Sequence, residues 1–189
     1  LIFYANKFRI KKFIFSSSAS IYGNIRFNKN IKETSKLKPI NAYGKSKLLC
    51  ERVIKSKLNK SHSQYCILRY FNVVGRHISN LVIKKKNLNL FESIYFALKN
   101  KKTFYINGKK LKTIDGTPVR DFISISDIAN AHLECIWQKK NKKFWNKIFN
   151  VGINKGLSVL QIIKSCNKIL KNKIAYELID NNKGEIEKS

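Results

Sequence analysis

The sequence predicts an α/β protein built on a parallel sheet, and three segments carry that prediction. Lys12–Ser16 is a short apolar run that ends in small polar residues, as buried parallel strands do. Apolar residues recur at helical spacing from Ala42 to about Leu58, and Tyr65–Phe71 is a second apolar, β-prone run. Strand, helix and strand in this order form a right-handed βαβ unit, whose two strands lie parallel in one sheet.

The segments after Gly75 are less regular. Arg76–Leu88 has no clear hydrophobic period and is predicted to be a loop. A helix over Leu90–Leu98 and a short strand over Phe104–Ile106 are predicted to follow it. Val119–Ile125 alternates between apolar and polar residues, which is typical of a strand.

The remaining elements continue the alternation of helices and strands. Ser126-Asp127 is predicted to cap a helix that runs to Trp137. Lys147–Val151 is typical of another short strand, and Ser158 is predicted to start the last helix. We expect Trp137 and Trp145 to do no more than pack.

The composition is that of a folded but very basic chain. Of 189 residues, 43% are hydrophobic, which is enough for a core, while 39 basic residues against 11 acidic ones give a net charge of +28. Such a charge suggests either a polyanion partner or lysine-rich surfaces that face water. The lysines are scattered along the chain in doublets and triplets, which favours solvated surfaces. Nucleic acid is therefore not expected as a partner.

The sequence places the protein in the cytoplasm and away from membranes. No apolar run approaches the roughly 18 residues that a membrane span needs. Cys50, Cys66, Cys135 and Cys166 form no C-x-x-C pair, and none lies near a histidine at metal-ligand spacing. We expect these four residues to be buried, reduced thiols, and we predict no metal site.

One group of side chains has a spacing with a chemical use. Tyr43 and Lys47 are four residues apart at the start of the first long helix, so both leave the same face. An ammonium close to a phenol favours the phenolate and lowers the pKa of the tyrosine toward the range of a working base. Ser16, Ser17 and Ser18 lie at the carboxyl end of the first strand, where open α/β sheets bind ligands. A hydroxyl there can hold a substrate oxygen beside the phenol.

Five segments, in order, resemble the motifs of the UDP-galactose (UDP-glucose) 4-epimerases of the extended short-chain dehydrogenase/reductase family. These segments are FIFSSSASIYG (Phe13–Gly23), NAYGKSKLLCE (Asn41–Glu51), LRYFNVVG (Leu68–Gly75), DGTPVRDFISISDIANAH (Asp115–His132) and IFNVGINKGLSV (Ile148–Val159). The resemblance runs over nearly the whole chain, but it covers only the middle and later parts of the family's proteins.

The resemblance implies an incomplete Rossmann-like parallel sheet with part of a small C-terminal substrate-binding domain. Residues 1–75 and 116–155 would be the remnant of the NAD-binding Rossmann domain. Residues 76–115 and 156–189 would be the partial nucleotide-sugar-binding domain. The intact enzyme would be a homodimer.

The resemblance also implies catalytic and cofactor residues. Tyr43 would be the acid/base, Lys47 would lower its pKa and bond the nicotinamide ribose, and Ser18 would hydrogen-bond the sugar 4-oxygen. The reaction would be an NAD-dependent oxidation and re-reduction at carbon 4 of a UDP-sugar. The predicted cofactor contacts are Ser16, Ser17, Tyr43, Lys47, Tyr70 and Phe71.

The substrate contacts implied by the resemblance lie later in the chain, apart from Ser18. Asn72 would touch the nucleotide sugar, and Arg120 would pair with the diphosphate, the alternative for Arg120 being a structural pair with Asp121. The other predicted contacts are Asn87, Asn89, Tyr105, Ile106, Asn107 and Glu185.

Two departures from the family pattern are visible. Asn87 and Asn89 share one family position without a clean register, and Asn182 stands where the family has an arginine. His132 matches a family position, but we expect it to be a structural histidine.

The 189 residues contain no Gly-x-x-Gly-x-x-Gly between a strand and a helix, the element that holds the pyrophosphate of a dinucleotide. We therefore expect a truncated gene product that keeps the catalytic residues but is inactive by itself. Two alternatives to the UDP-glucose 4-epimerase stay open. One is a related nucleotide-sugar epimerase or dehydratase, and the other is a non-catalytic basic module that binds polyanions.

Overall fold

The computed structural model describes residues 1–24, 30–58, 62–75, 88–109, 111–170 and 173–180, and these form both helices and strands. The α-helices are α1 (Ile2–Lys7), α2 (Ala42–Leu58), α3 (Leu90–Lys99), α4 (Ile125–Trp137) and α5 (Val159–Leu170). The strands are β1 (Lys12–Ser18), β2 (Gln64–Tyr70), β3 (Asn72–Val74), β4 (Phe104–Asn107), β5 (Val119–Ser124), β6 (Lys147–Val151), β7 (Gly156–Ser158) and β8 (Tyr176–Ile179). Short 3₁₀ helices span Ala19–Tyr22 and Gln138–Lys140.

The main sheet has the order β1-β2-β6, and all its strands are parallel. Strand β2 is central, with Ser16 opposite Leu68 on one side and Cys66 opposite Lys147 on the other. Helix α2 connects β1 to β2, so the predicted strand, helix and parallel strand are confirmed.

Both faces of this sheet are covered, as parallel sheets require. Tyr65 and Ile67 of β2 pack with Ile54 of α2 in one core cluster. On the opposite face, Cys66 packs with Cys135 of α4 in a second cluster. Alternation along β2 therefore sends successive side chains to different helices, and the predicted α/β class is confirmed.

A second group of elements surrounds a separate core cluster. Strands β3, β5 and β7 form one small sheet, and β4 pairs in parallel with β8 in another. The cluster holds Ile94 of α3, Ile106 of β4 and Ile163 of α5. These elements lie mostly within the proposed substrate-binding segments, and the domain division itself stays a prediction.

Several predictions of detail differ from the structure. Helix α4 is capped by Ser124, whose Oγ accepts a hydrogen bond from the backbone N–H of Asp127, and not by the Ser126-Asp127 pair. Cys50 is exposed and Cys166 is half-buried, whereas Cys66 and Cys135 are buried; all four are free thiols. Trp145 is buried as expected, whereas 70% of Trp137 is exposed, so this side chain lies mostly at the surface.

Among the described residues, no helix is both long and apolar enough to cross a bilayer. The predicted loop Arg76–Leu88 lies almost wholly outside the residues that the structure describes.

Candidate active site

The first turn of α2 is fixed against the segment that follows β1. Asn41 caps the helix by accepting a hydrogen bond of 2.8 Å from the backbone N–H of Gly44. A Cβ atom at Gly44 would lie 2.7 Å from the carbonyl oxygen of Ser20, so only glycine permits this approach. The helix therefore presents Tyr43 beside the carboxyl end of β1.

The structure brings Tyr43 and Lys47 together, as their spacing predicts. The Nζ of Lys47 donates a hydrogen bond of 2.9 Å to the carbonyl oxygen of Ser16 at the carboxyl end of β1. The same Nζ lies 5.6 Å from the centre of the Tyr43 ring. Since 56% of Tyr43 is exposed, its phenol is accessible to a ligand.

The three strand-end serines do not share one environment. Ser18 caps the 3₁₀ helix, its Oγ accepting a hydrogen bond of 3.2 Å from the N–H of Ser20. Ser16 is exposed, and its Oγ lies 2.9 Å from the Oη of Tyr70. Ser17 is buried, and its hydroxyl donates to Oε1 of Glu51 at 2.6 Å. The hydroxyl of Ser17 is thus used inside the core and not beside Tyr43.

Ser17 belongs to a buried polar network that the sequence analysis missed. Arg69 donates to both carboxylate oxygens of Glu51, at 2.9 and 2.7 Å, and to the Oη of Tyr22 at 2.7 Å. The Arg69–Glu51 pair is 1% exposed on each side. An arginine in the middle of the apolar run YCILRYF is the signal that could have revealed it, because such a position requires a buried partner.

The buried network changes the proton affinity of its phenol. Burial raises the pKa of Tyr22, although the Arg69 guanidinium and its hydrogen bond act in the opposite direction. Burial would lower the pKa of Arg69, but the hydrogen bonds to Glu51 and Tyr22 outweigh it and raise the pKa. Tyr22 therefore keeps its proton and has no role as a base.

Tyr70, a predicted cofactor contact, faces α4. Its Oη lies 2.9 Å from Nε2 of His132, whose Nδ1 lies 2.8 Å from the carbonyl oxygen of Ile128. Phe71, the other aromatic residue of this motif, packs against the core cluster of Ala19, Ile21, Tyr22 and Leu48.

Five predicted substrate contacts line one cavity of about 300 Å³. They are Asn72, Tyr105, Ile106, Asn107 and Arg120. The remaining lining is largely apolar and was not predicted; it consists of Leu88, Leu90, Ser93, Phe104, Pro118, Phe122 and Val159. A mostly apolar cavity with a few polar groups and one cation is typical of a small-molecule site.

Alternation along β5 places Arg120 toward the cavity and Asp121 toward the interior. The Nη1 of Arg120 donates to the carbonyl oxygen of Val119 at 3.0 Å. The carboxylate of Asp121 accepts hydrogen bonds from the backbone N–H groups of Ile153 and Asn154, at 3.0 and 2.8 Å. Asp121 thereby fixes the loop after β6.

Asn89 has a structural use that the sequence analysis did not predict. Its side chain caps α3 by accepting from the N–H of Glu92 at 3.0 Å, and the Glu92 carboxylate accepts in return from the N–H of Asn89. Leu88 and Leu90, on either side of it, line the cavity. Asn87 and Glu185 lie outside the described residues.

Comparisons with known proteins agree on one family. Residues 1–152 match the model of the NAD dependent epimerase/dehydratase family. The UDP-glucose 4-epimerase of Dictyostelium discoideum is 33% identical, and the alignment covers 97% of this chain and 55% of the relative. That of Drosophila melanogaster is 34% identical over 93% of this chain and 52% of its own length. The chain thus spans about half the length of these curated relatives.

A solved structure gives the same result. The UDP-glucose 4-epimerase from Bifidobacterium longum in complex with NAD+ and UDP superposes with a TM-score of 0.83. It is 32% identical, and the match covers 97% of this chain and 56% of that one. The fold, the order of the motifs and the family match lead to one conclusion: this chain belongs to the NAD-dependent epimerase/dehydratase family.

Proposed function

We propose that this chain carries the catalytic and substrate-binding residues of an enzyme that interconverts UDP-glucose and UDP-galactose with bound NAD. The observation that carries the proposal is the Tyr43–Lys47 pair. An exposed phenol lies beside an ammonium that is fixed at the carboxyl end of a parallel strand. The curated relatives described above, all UDP-glucose 4-epimerases, support the choice of reaction.

The residues at this edge suit the nicotinamide end of NAD. The ammonium of Lys47, the phenol of Tyr43 and the hydroxyl of Ser16 are polar groups at the carboxyl end of β1, and none of them is fully buried. Phe71, Tyr70 and the backbone at Ser17 complete the proposed cofactor contacts. When bound, NAD supplies a reversible two-electron oxidant for carbon 4 of the sugar.

Tyr43 is the proposed acid/base. It takes the proton of the sugar 4-hydroxyl when carbon 4 is oxidised, and it returns a proton to the 4-oxygen when the opposite configuration forms. The charge of Lys47 stabilises the phenolate that takes the proton in the first step and forms again in the second. The hydrogen bond from Lys47 to the Ser16 carbonyl holds that charge in place throughout the cycle.

The substrate has two proposed anchors. The hydroxyl of Ser18 bonds the sugar 4-oxygen, since the Ser20 N–H uses a lone pair of Ser18 Oγ and leaves its proton for donation. The cavity takes the nucleotide part, with Arg120 on the diphosphate and Asn72 beside it. Tyr105, Ile106, Asn107 and Asn89, with Asn87 and Glu185 beyond the described residues, complete the proposed substrate set.

Titration of the chain with UDP tests the substrate part of this proposal without requiring turnover. We expect binding by calorimetry, and we expect Arg120→Gln to weaken it about tenfold or more because a charged hydrogen bond to phosphate is lost. Arg52→Gln is the matched control, since Arg52 is exposed on α2 away from the cavity, and it should bind as wild type. Equal affinities for UDP in both variants would contradict the assignment of Arg120.

The identity of the sugar has a specific alternative. The UDP-N-acetylglucosamine 4-epimerase of Methanobrevibacter ruminantium has a TM-score of 0.81 to this chain and is 29% identical, so a UDP-N-acetylhexosamine is a second candidate substrate. Competition between UDP-galactose and UDP-N-acetylgalactosamine for the chain distinguishes the two. We expect UDP-galactose to bind more tightly. If UDP-N-acetylgalactosamine binds more tightly instead, the proposed substrate is a UDP-N-acetylhexosamine.

We also propose a homodimer. Phe3 of α1 and Leu49 of α2 are 71% and 61% exposed, and burying such apolar side chains against a second copy would be favourable. Light scattering after size-exclusion chromatography should give twice the 22.0 kDa of one chain. A monomer at micromolar concentration would contradict this part of the proposal.

A further inference from the structure

The amino ends of the three strands of the main sheet form an edge that lies far from the proposed active site. Tyr43 and Lys47 lie beside the carboxyl end of β1, whereas Lys12 begins that strand. Seven residues of extended chain separate the two ends by about 20 Å. A partner bound at the amino edge would therefore leave the proposed site accessible.

Two lysine-rich segments that are distant in the sequence meet at this edge. The backbone N–H at the start of β2 donates to the carbonyl oxygen of Lys11 at 2.9 Å. The next residue, Tyr65, accepts from the N–H of Asn146 at 2.7 Å and donates its own N–H to the Oδ1 of Asn146 at 3.1 Å. The segments Lys7–Lys12 and Lys140–Lys147 therefore flank the start of the central strand.

The same edge carries two exposed aromatic rings. The indole N–H of buried Trp145 donates to the carbonyl oxygen of Gln138 at 3.1 Å, and the Nζ of Lys12 lies 4.2 Å from the centre of the indole. These contacts hold the end of α4 against the start of β1. Trp137, the last residue of α4, is 70% exposed, and Phe8, which precedes β1, is 65% exposed.

The charge of the two segments is entirely positive. No acidic residue lies between Leu1 and Glu33 or between Glu134 and Glu177. Among the described residues, no salt bridge joins these basic side chains to a carboxylate. All of them are exposed except Lys12, which is half-buried. The basic members of this amino-edge patch are Lys7, Arg9, Lys11, Lys12, Lys140, Lys142, Lys143 and Lys147.

We infer that the amino-edge patch binds single-stranded nucleic acid without sequence preference. Exposed ammonium groups without a carboxylate partner attract a phosphate backbone and release its counterions. All but one of the basic residues are lysines, which contact phosphates as point charges, whereas arginine is the residue that reads guanine edges. Trp137 and Phe8 supply rings for base stacking, which any base allows.

The combination of charges and rings favours a single strand over other polyanions. In a duplex the bases are already stacked on one another, and the protein reaches only their edges and the backbone. An anionic bilayer would use the rings differently, by taking them into its apolar interior. Only an unpaired strand presents phosphates and open base faces together. The lysines look scattered along the sequence, but pairing of β2 with β1 and β6 concentrates them.

This inference is independent of the proposed function, because no residue of the patch lines the cavity or contacts Tyr43. UDP, the proposed ligand of the cavity, should not displace a nucleic acid from the chain. The binding of an oligonucleotide is therefore measurable whether or not the chain binds UDP.

Fluorescence anisotropy of a labelled oligothymidylate of about 20 nucleotides, titrated with the chain at several salt concentrations, is the test. The patch variant changes four exposed lysines and leaves the Lys12–Trp145 contact intact: Lys11→Gln, Lys142→Gln, Lys143→Gln and Lys147→Gln. The control has the same net charge and changes four exposed lysines of the second group of elements: Lys99→Gln, Lys102→Gln, Lys109→Gln and Lys112→Gln.

We expect the patch variant to bind the oligonucleotide about tenfold or more weakly at roughly 0.1 M salt, with a shallower dependence on salt, because phosphate contacts are lost. The control should stay within about threefold of wild type, because charges distant from the bound strand are screened. Circular dichroism confirms that both variants are folded. Equal losses in the two variants, or no binding by wild type, would overturn the inference.

Two changes at Trp137 separate stacking from insertion into a bilayer. Trp137→Leu keeps an apolar side chain without a ring and should weaken binding of the oligonucleotide about tenfold, while Trp137→Phe keeps a ring and should stay within about threefold of wild type. Wild-type affinity of Trp137→Leu, or displacement of the oligonucleotide by UDP, would contradict the inference. Sedimentation with phosphatidylserine vesicles is the last arm. Binding to these vesicles without binding to the oligonucleotide would assign the patch to a membrane and overturn the inference.

Discussion

Among the described residues, two phenol–cation pairs differ in their exposure and in the contacts of the cation. Tyr22 is 3% exposed and accepts a 2.7 Å hydrogen bond from Arg69. Tyr43 is 56% exposed, and the ammonium of Lys47 lies 5.6 Å from its ring centre. The tighter contact belongs to the pair with no access to a ligand.

The difference shows that a cation beside a phenol does not make the phenol a base. Around Tyr22, burial outweighs the guanidinium and raises the pKa of the phenol, and Arg69 is already neutralised by Glu51. Lys47 has only a carbonyl oxygen as its described hydrogen-bond partner, so its charge is not cancelled locally. We therefore assign stability to the buried pair and catalysis to the exposed one.

Arg69→Met gives the largest expected effect on stability. The carboxylate of Glu51 would remain buried without a counter-charge, which costs about 3–5 kcal/mol in the free energy of unfolding. Urea unfolding followed by circular dichroism measures this loss, with Arg52→Met on the exposed face of α2 as the control. The double variant Glu51→Leu, Arg69→Met should recover part of it. If Arg69→Met lowers the free energy of unfolding by less than about 1 kcal/mol, the Arg69–Glu51 pair does not have the structural role assigned to it.

Gly44→Ala is expected to cost less, about 1–3 kcal/mol. The new methyl group would lie 2.7 Å from the Ser20 carbonyl, so the start of α2 has to move away from the segment after β1. This change displaces the exposed pair without touching the buried one. Ala42, two residues before Gly44, is exposed, and Ala42→Ser is a control that should leave the free energy of unfolding unchanged. Wild-type stability of Gly44→Ala would show that the close approach is not needed.

Tyr22→Phe should lower the free energy of unfolding by about 1–2 kcal/mol. The variant leaves a donor of Arg69 and the side-chain oxygen of Asn150 without their partner. Tyr95→Phe, on the exposed face of α3, is the matched control. Equal stabilities of the two variants would mean that the Tyr22 hydroxyl contributes nothing to the network.

The same variant has a pH signature. Because burial raises the pKa of Tyr22, the native state keeps a proton that the unfolded chain loses near its ordinary pKa of about 10. The native state then binds more protons, so stability falls as the pH rises above that value. We expect the stability difference between wild type and Tyr22→Phe to narrow from about pH 9 to about pH 11 in urea unfolding. A stability difference that stays constant over this pH range would contradict the raised pKa of Tyr22.

The main elements and the exposed pair were predictable from the sequence because they depend on local patterns. Apolar runs mark β1 and β2, and the i, i+4 spacing alone brings Tyr43 and Lys47 to one face of α2. Neither requires knowledge of which distant segment packs against it.

The buried network was not predictable in this way. The sequence analysis ended the first strand at Ser16, whereas β1 continues to Ser18, so alternation sends Ser17 into the core. There it faces Glu51 and stands opposite Arg69 in the strand register. Arg69 within an apolar run indicates only that a buried partner is needed. Which residues become its partners depends on pairing between distant strands, which no local pattern encodes. The cap formed by Asn89 and the contact of Tyr70 with His132 depend on the same kind of information.

Tyr43→Phe is the variant that tests the comparison most directly, with the smallest expected effect on stability. We predict a free energy of unfolding within about 0.5 kcal/mol of wild type, because the hydroxyl is exposed. In the protein that carries this chain, supplied with NAD, epimerisation of UDP-galactose should fall by about 10²–10⁴-fold with the loss of the acid/base. Wild-type turnover in Tyr43→Phe would contradict the assignment of catalysis to the exposed pair.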